Sequence, residues 1–87
     1  MHRVPIEASL DLHPFRPRDI PSLVEEYINA AHQAGLREVR LIHGRGKGIQ
    51  RGIVQNVLDT HPLVEEFWDA TETHLGATVA RLVGETR

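Results

Sequence analysis

Apolar and polar residues alternate strictly at the start of the chain. Val4, Ile6, Ala8, Leu10 and Leu12 take every second position, with Pro5, Glu7, Ser9, Asp11 and His13 between them. A period of two predicts a strand with one buried and one polar face. It points Leu10 and Leu12 into a core and sets Asp11 and His13 together on the other side, roughly 6–7 Å apart. Pro14 and Pro17 end this strand. The period then changes: Ile20, Leu23, Val24, Tyr27, Ile28 and Ala31 have the spacing of an amphipathic helix. Asp19 is placed to cap it with Pro21 in its first turn, or Pro17 marks a slightly earlier start. Gly35 stands where a left-handed C-terminal residue belongs.

Glu38–His43 reads as a second strand, its apolar content supplied by Val39, Leu41 and Ile42. After a glycine-rich loop, Ile49, Ile53, Val54, Val57 and Leu58 predict one face of a second helix that finishes before Pro62, with Gly52 weakening it by up to about 1 kcal/mol relative to Ala. Val64–Ala70 and Ala77–Val83 read as strands. The polar stretch Thr71–Gly76 between them is too short for a crossover helix, so these two should be antiparallel. The order β-α-β-α-β-β, with right-handed crossovers, puts both helices on one face of a four-stranded mixed sheet. The expected class is α/β, more narrowly an α+β two-layer sandwich with an open sheet face.

Eighty-seven residues make one domain, 1–87, with one modest core. The chain has no cysteine, which excludes disulfides and thiolate metal sites. It has no apolar run of the roughly 20 residues that span a bilayer, and Met1–Glu7 has no signal-peptide pattern. The expectation is a cytoplasmic protein with no membrane association, a monomer by default. Net charge is −2, yet Arg40, Arg45, Lys47 and Arg51 lie between Val39 and Leu58 with no acid among them. A cationic segment on an acidic body predicts an anionic ligand met at one place.

That segment contains Leu41-Ile42-His43-Gly44-Arg45-Gly46-Lys47-Gly48. Alternating glycines let a backbone turn tightly and bring its N–H groups close to a ligand, and a helix start just beyond adds unpaired donors and partial positive charge. A phosphate suits such a place. The run is not a Walker loop, and Ile49 stands where a dinucleotide fingerprint needs its third glycine. Asp11 and His13 offer a carboxylate that fixes an imidazole for proton transfer, or two ligands for a divalent metal, or simply a polar strand end facing water. If the first two strands are parallel, Asp11, His13, His43 and the cationic loop share one rim, where ligand sites of α/β sheets gather. His2, His32, His61 and His74 have no such context. Phe67 and Trp68 could offer a base-stacking surface, although strand aromatics more often serve a core.

Leu10-Asp11-Leu12-His13, then Ile42-His43-Gly44-Arg45-Gly46-Lys47-Gly48, then Gly76-Ala77-Thr78-Val79 resembles the Smr (small MutS-related) domain, here as a stand-alone domain with its core at about residues 9–83. The resemblance implies a fold like the C-terminal domain of translation initiation factor three. It also implies nucleic-acid binding and endonuclease activity on DNA (nicking) or RNA, with catalytic roles for Asp11 and His13 and backbone binding by the loop from His43 to Gly48. Pro14 departs from the family's usual Gly, and only Gly76 remains of the glycines before the last strand. The expected function is an endonuclease-type domain acting on the phosphodiester backbone; the alternatives are a non-catalytic nucleic-acid-binding module or an adaptor. In the leading reading His13 is the general base or acid, Asp11 its orienter or a metal ligand, and His43 a second proton-transfer or phosphate-contacting group, with His13 and His43 as a base–acid pair on RNA. Gly44, Arg45, Gly46, Lys47 and Gly48 hold phosphate, and Arg16, Arg18 and Arg51 add backbone contacts. No cofactor is required in it; a Mg or Mn ion held by Asp11 and His13 is the alternative.

Overall fold

Tertiary pairing trims the first predicted strand. In a computed structural model that describes residues 6–71 and 76–84, β1 runs only from Ser9 to Asp11. It pairs in parallel with β2, Glu38–Ile42, in the register Ser9↔Arg40, Leu10↔Leu41 and Asp11↔Ile42. β1 is an edge strand whose sole neighbour begins at Glu38, so residues before it have almost no backbone to pair with. The last ladder bond runs from the Arg40 N–H to the Ala8 carbonyl at 2.8 Å. Ile6 and Ala8 are accordingly exposed rather than buried, and Val4 lies outside the described residues.

The first helix starts directly after Asp19, but Asp19 does not cap it with its side chain. Pro17–Asp19 form a 3₁₀ turn that runs straight into α1, Ile20–Gln33, and Asp19 itself has helical φ/ψ with no side-chain capping bond. Pro17 opens the 3₁₀ turn and Pro21 lies in the first turn of α1, positions where a missing N–H is well tolerated. The far end follows the sequence signal. Gly35 has φ +89°; its N–H donates to His32 O and the Leu36 N–H donates to Ala31 O, both at 3.0 Å. This is a Schellman closure, which satisfies two of the last carbonyls.

α2, Ile49–Thr60, ends with His61 as its C-cap, just before Pro62. β3, Val64–Asp69, and β4, Ala77–Leu82, are antiparallel. Residues 72–75 of their connection lie outside the described residues. The sheet order is β1-β2-β4-β3, with β4 antiparallel to β2. One sheet face carries Leu10, Val39, Leu41, Phe67, Ala80 and Leu82. These form a continuous core with Ile20, Val24, Ile28 and Ala31 of α1 and Val54 and Leu58 of α2, so both helices cover the same face. Each fully buried Leu or Ile stabilises this sandwich by about 1.5–3 kcal/mol. Ile49 does not join the core and is 61% exposed. It opens α2 beyond the end of β2, and the buried stripe starts a turn later with Ile53 and Val54.

The other sheet face is open. There Arg81 pairs with Glu66 at 2.5 Å and lies over the Trp68 ring, 5.4 Å from its centroid. Phe67 packs against the core, whereas Trp68 lies on the opposite, open face and is 37% exposed.

Two exposed glycines test the backbone logic separately, because an added Cβ meets nothing within 4 Å at either. Gly35→Ala forces an L-residue into left-handed geometry and should destabilise by about 1–2 kcal/mol. Gly52→Ala, inside α2, should stabilise by up to about 1 kcal/mol. Urea unfolding midpoints of the two variants should move in opposite directions.

Candidate functional site

β1 and β2 run parallel, so their C-terminal ends lie side by side, and β4 starts at the same rim. β1 ends at Asp11, although Leu12 N–H still donates to Ile42 O at 2.7 Å. His13 is therefore in a turn and not on the strand, and the turn is closed by Phe15 N–H to Leu12 O at 3.0 Å. The Asp11 carboxylate folds back over it. Its Oδ1 accepts the His13 main-chain N–H at 3.0 Å and the His13 ring at 2.7 Å. The two side chains touch, which the spacing along an unbroken strand would not produce. A carboxylate oxygen can only accept, so Nδ1 of His13 carries the hydrogen and Nε2 is left as an acceptor. Both side chains are more than half exposed. The two bonds from His13 hold the Asp11 carboxyl below the usual carboxylate range.

The glycine loop begins against this turn. A Cβ placed on Gly44 would lie 3.7 Å from His13 Cβ. Gly44 and Gly48 have φ of +88° and +86°, so the loop reverses through positions an L side chain rarely adopts. The first helical bond of α2 is Gly52 N–H to Gly48 O. The N–H groups of Ile49, Gln50 and Arg51 consequently have no carbonyl one turn back and face the loop end of the helix. Between the loop and the ends of β3 and β4 lies a cleft of about 280 Å³, bordered by Arg45, Gly46, Arg51, Asp69 and Gly76. Gln50, which the sequence did not single out, donates to Phe15 O at 3.0 Å and ties the His13 turn to the first turn of α2.

His43 behaves differently from His13. It is 6% exposed, and its ring turns inward, with Nδ1 3.0 Å from Gly44 O and Nε2 2.9 Å from Thr78 Oγ1. The structure does not pair it with His13. Arg51 gives both ends of its guanidinium to Asp69 at 2.8 Å, which holds the Asp69 carboxyl below its ordinary range. Arg45 and Lys47 are exposed on the loop, and Arg16 and Arg18 are exposed in and beside the 3₁₀ turn that follows His13. Of the other histidines, His61 accepts the Leu63 N–H at its own helix end, His32 lies half-buried on α1, and His2 and His74 lie outside the described residues. Among the described residues no three His, Asp or Glu side chains converge as a metal-holding group. A divalent ion at this rim would find Asp11 and His13, which already bond to each other.

An α+β sandwich with this Asp–His turn and glycine loop at neighbouring strand ends defines a recognisable class. The profile of the Smr domain matches residues 10–83, and the chain belongs to that family. It is 37% identical over 79 residues to an endonuclease MutS2 of Caldicellulosiruptor saccharolyticus, and 37% identical over 81 residues to an endonuclease MutS2 of Helicobacter pylori. Those alignments cover 88% and 91% of this chain but 10% of either relative, so the chain spans about a tenth of their length. The crystal structure of the Smr domain of Thermus thermophilus MutS2 superposes with a TM-score of 0.81 at 29% identity, covering 88% of this chain and 99% of that one. YdaL of Escherichia coli, a stand-alone small MutS-related protein, superposes with a TM-score of 0.80 at 30% identity, covering 90% of this chain and 66% of that one. No helix among the described residues is long and apolar enough to cross a membrane.

The Asp11–His13 contact has a titration signature. Its depressed carboxyl contributes stability at neutral pH that is lost as pH falls through the folded-state value. In His13→Ala the Asp11 carboxyl should titrate higher, because the ring hydrogen bond that depresses it is gone. Carboxyl carbon NMR titration of both proteins reads the difference.

Proposed function

We propose that this domain binds a nucleic-acid backbone and cleaves a phosphodiester bond, with RNA as the substrate. The observation that carries this reading is the Asp11–His13 hydrogen bond, which engages Nδ1 of an exposed imidazole beside a cationic glycine loop. The likeness to regions of proteins named endonuclease MutS2 supports it. Arg45, Lys47 and the N–H groups of the loop and of the first turn of α2 hold the phosphate and offset charge that develops on it. Arg16 and Arg18 continue this positive surface along the strand. Arg51 contributes from within its pair with Asp69, and His43 contributes through the loop backbone it holds.

RNA carries its own nucleophile. His13 Nε2 takes the proton of a 2′-hydroxyl, the 2′-oxygen attacks the adjacent phosphorus, and the 5′-oxygen departs and takes a proton from solvent. Asp11 keeps the ring in the required tautomer and stabilises the imidazolium that forms. This chemistry asks for one oriented base and a phosphate cradle, both of which the rim offers. A two-metal mechanism asks for several hard ligands.

Purified protein incubated with labelled RNA should leave 2′,3′-cyclic phosphate ends, with and without chelator, and should fail when the 2′-hydroxyl at the cut is replaced by hydrogen or O-methyl. His13→Ala should lower the rate by roughly 10²-fold or more while binding stays within a few-fold, and Asp11→Asn should act in the same direction. Cleavage that persists at the wild-type rate in both variants after repurification would point to a contaminating nuclease and favour a binding module. Chelator-sensitive nicking of duplex DNA would reassign Asp11 and His13 as metal ligands.

Binding has its own test. Neutralised phosphates release counterions, so affinity should fall steeply with salt. Replacing Arg45 and Lys47 together with Ala should flatten the log–log salt slope by about 2 units. An unchanged slope would remove the loop from the interface.

A further inference from the structure

Thr78 and Gln55 are the least expected residues around the glycine loop. Thr78 is fully buried in the central strand β4, facing the helices from the position opposite Leu41. Gln55 reaches it from α2, with Nε2 3.0 Å from Thr78 Oγ1 and 2.9 Å from Asp69 Oδ1. The Gly44 carbonyl can only accept, so the 3.0 Å contact requires the hydrogen of His43 to be on Nδ1. His43 Nε2 is then an acceptor. The Thr78 hydroxyl, which already accepts from Gln55, donates its hydrogen there at 2.9 Å. Each hydrogen has one destination, and no buried side-chain nitrogen or oxygen among the described residues lacks a partner.

The far end of the chain clamps Gly44. The Gly44 N–H donates to Gly76 O at 3.1 Å while its carbonyl accepts from His43, so both polar groups of the residue that opens the loop are fixed. We propose that Thr78 and Gln55 are positioning residues: by setting the His43 tautomer they hold the Gly44 carbonyl inward, and so present the N–H groups beyond it to a phosphate. The first part stands on the hydrogen-bond geometry alone. The second rests on the phosphate-binding reading, and the experiment separates them.

Nitrogen-15 NMR of the histidine rings reads the tautomer in the ligand-free protein. Wild-type His43 should be Nδ1–H. Thr78→Val keeps the shape and removes the hydroxyl, so the His43 ring signals and the amides of residues 44–48 should shift. Thr78→Ser should restore them, and Gln55→Met should give a smaller change of the same kind. For a labelled RNA oligonucleotide, Thr78→Val should raise KM about tenfold, the scale of one buried hydrogen bond lost, and should lower kcat as well, because the displaced loop N–H groups also offset the charge that develops on the phosphate. Thr78→Ser should keep wild-type KM. An Nε2–H tautomer in wild type, or ring signals indifferent to Thr78→Val, would overturn the proposal. Shifted ring signals with an unchanged KM would overturn its link to phosphate. A wild-type protein that neither binds nor cuts RNA while showing the expected ring signals would count against the functional reading and leave the tautomer clamp in place.

Discussion

The site depends on one carbonyl. Gly76 O accepts N–H groups from both His43 and Gly44 at 3.1 Å, which joins the exit of β2 to the start of β4. The approach is so close that a Cβ on Gly76, at φ +77°, would lie 2.3 Å from Gly44 O. No L side chain fits there, and neither backbone can retreat without losing the pairing of the two central strands. The glycine loop is thus an extension of the sheet's own hydrogen bonding. That anchorage lets an exposed, glycine-rich segment keep one shape.

Two histidines share this rim in different settings. His13 is in an exposed turn, and Asp11 bonds to its ring and orients it through Nδ1. His43 is enclosed, and both of its nitrogens are committed to fixed partners, Gly44 O and Thr78 Oγ1. Breaking those bonds would leave buried groups unpaired, at about 1–3 kcal/mol each. Gln50 and Gln55, on successive turns of α2, connect the two settings to the same helix. Gln50 holds the His13 turn, and Gln55 reaches the strand threonine behind His43.

Charge is redistributed in the same way. The sequence shows an acid-free cationic run from Val39 to Leu58, but folding brings Asp69 from β3 onto Arg51. The positive surface that reaches solvent is consequently centred on the loop and the segment after His13 rather than on the helix. Asp69 also accepts from Gln55, so the carboxylate that neutralises a cation helps to support the buried chain.

Much of this was legible in the residues themselves. The period-3.6 stripe defined α1, Gly35 marked its end, and short polar connections required an antiparallel β3–β4 pair, because these signals are local and set by steric and hydrogen-bonding geometry. The glycine loop and the Asp11-x-His13 pair were visible for the same reason, and the parallel crossover alone placed them at one rim. What local pattern could not contain was where neighbours begin and end. β1 is short because β2 starts at Glu38, and Ile49 is exposed because its helix turn overhangs the strand. Asp11 and His13 touch because the strand gives way to a turn. The inward ring of His43 and the parts played by Thr78, Gln55, Gln50 and Asp69 arise from contacts up to 35 residues apart in the chain. Periodicity names the face a side chain takes, but only the assembled sheet and helices decide which polar atom waits on the other side.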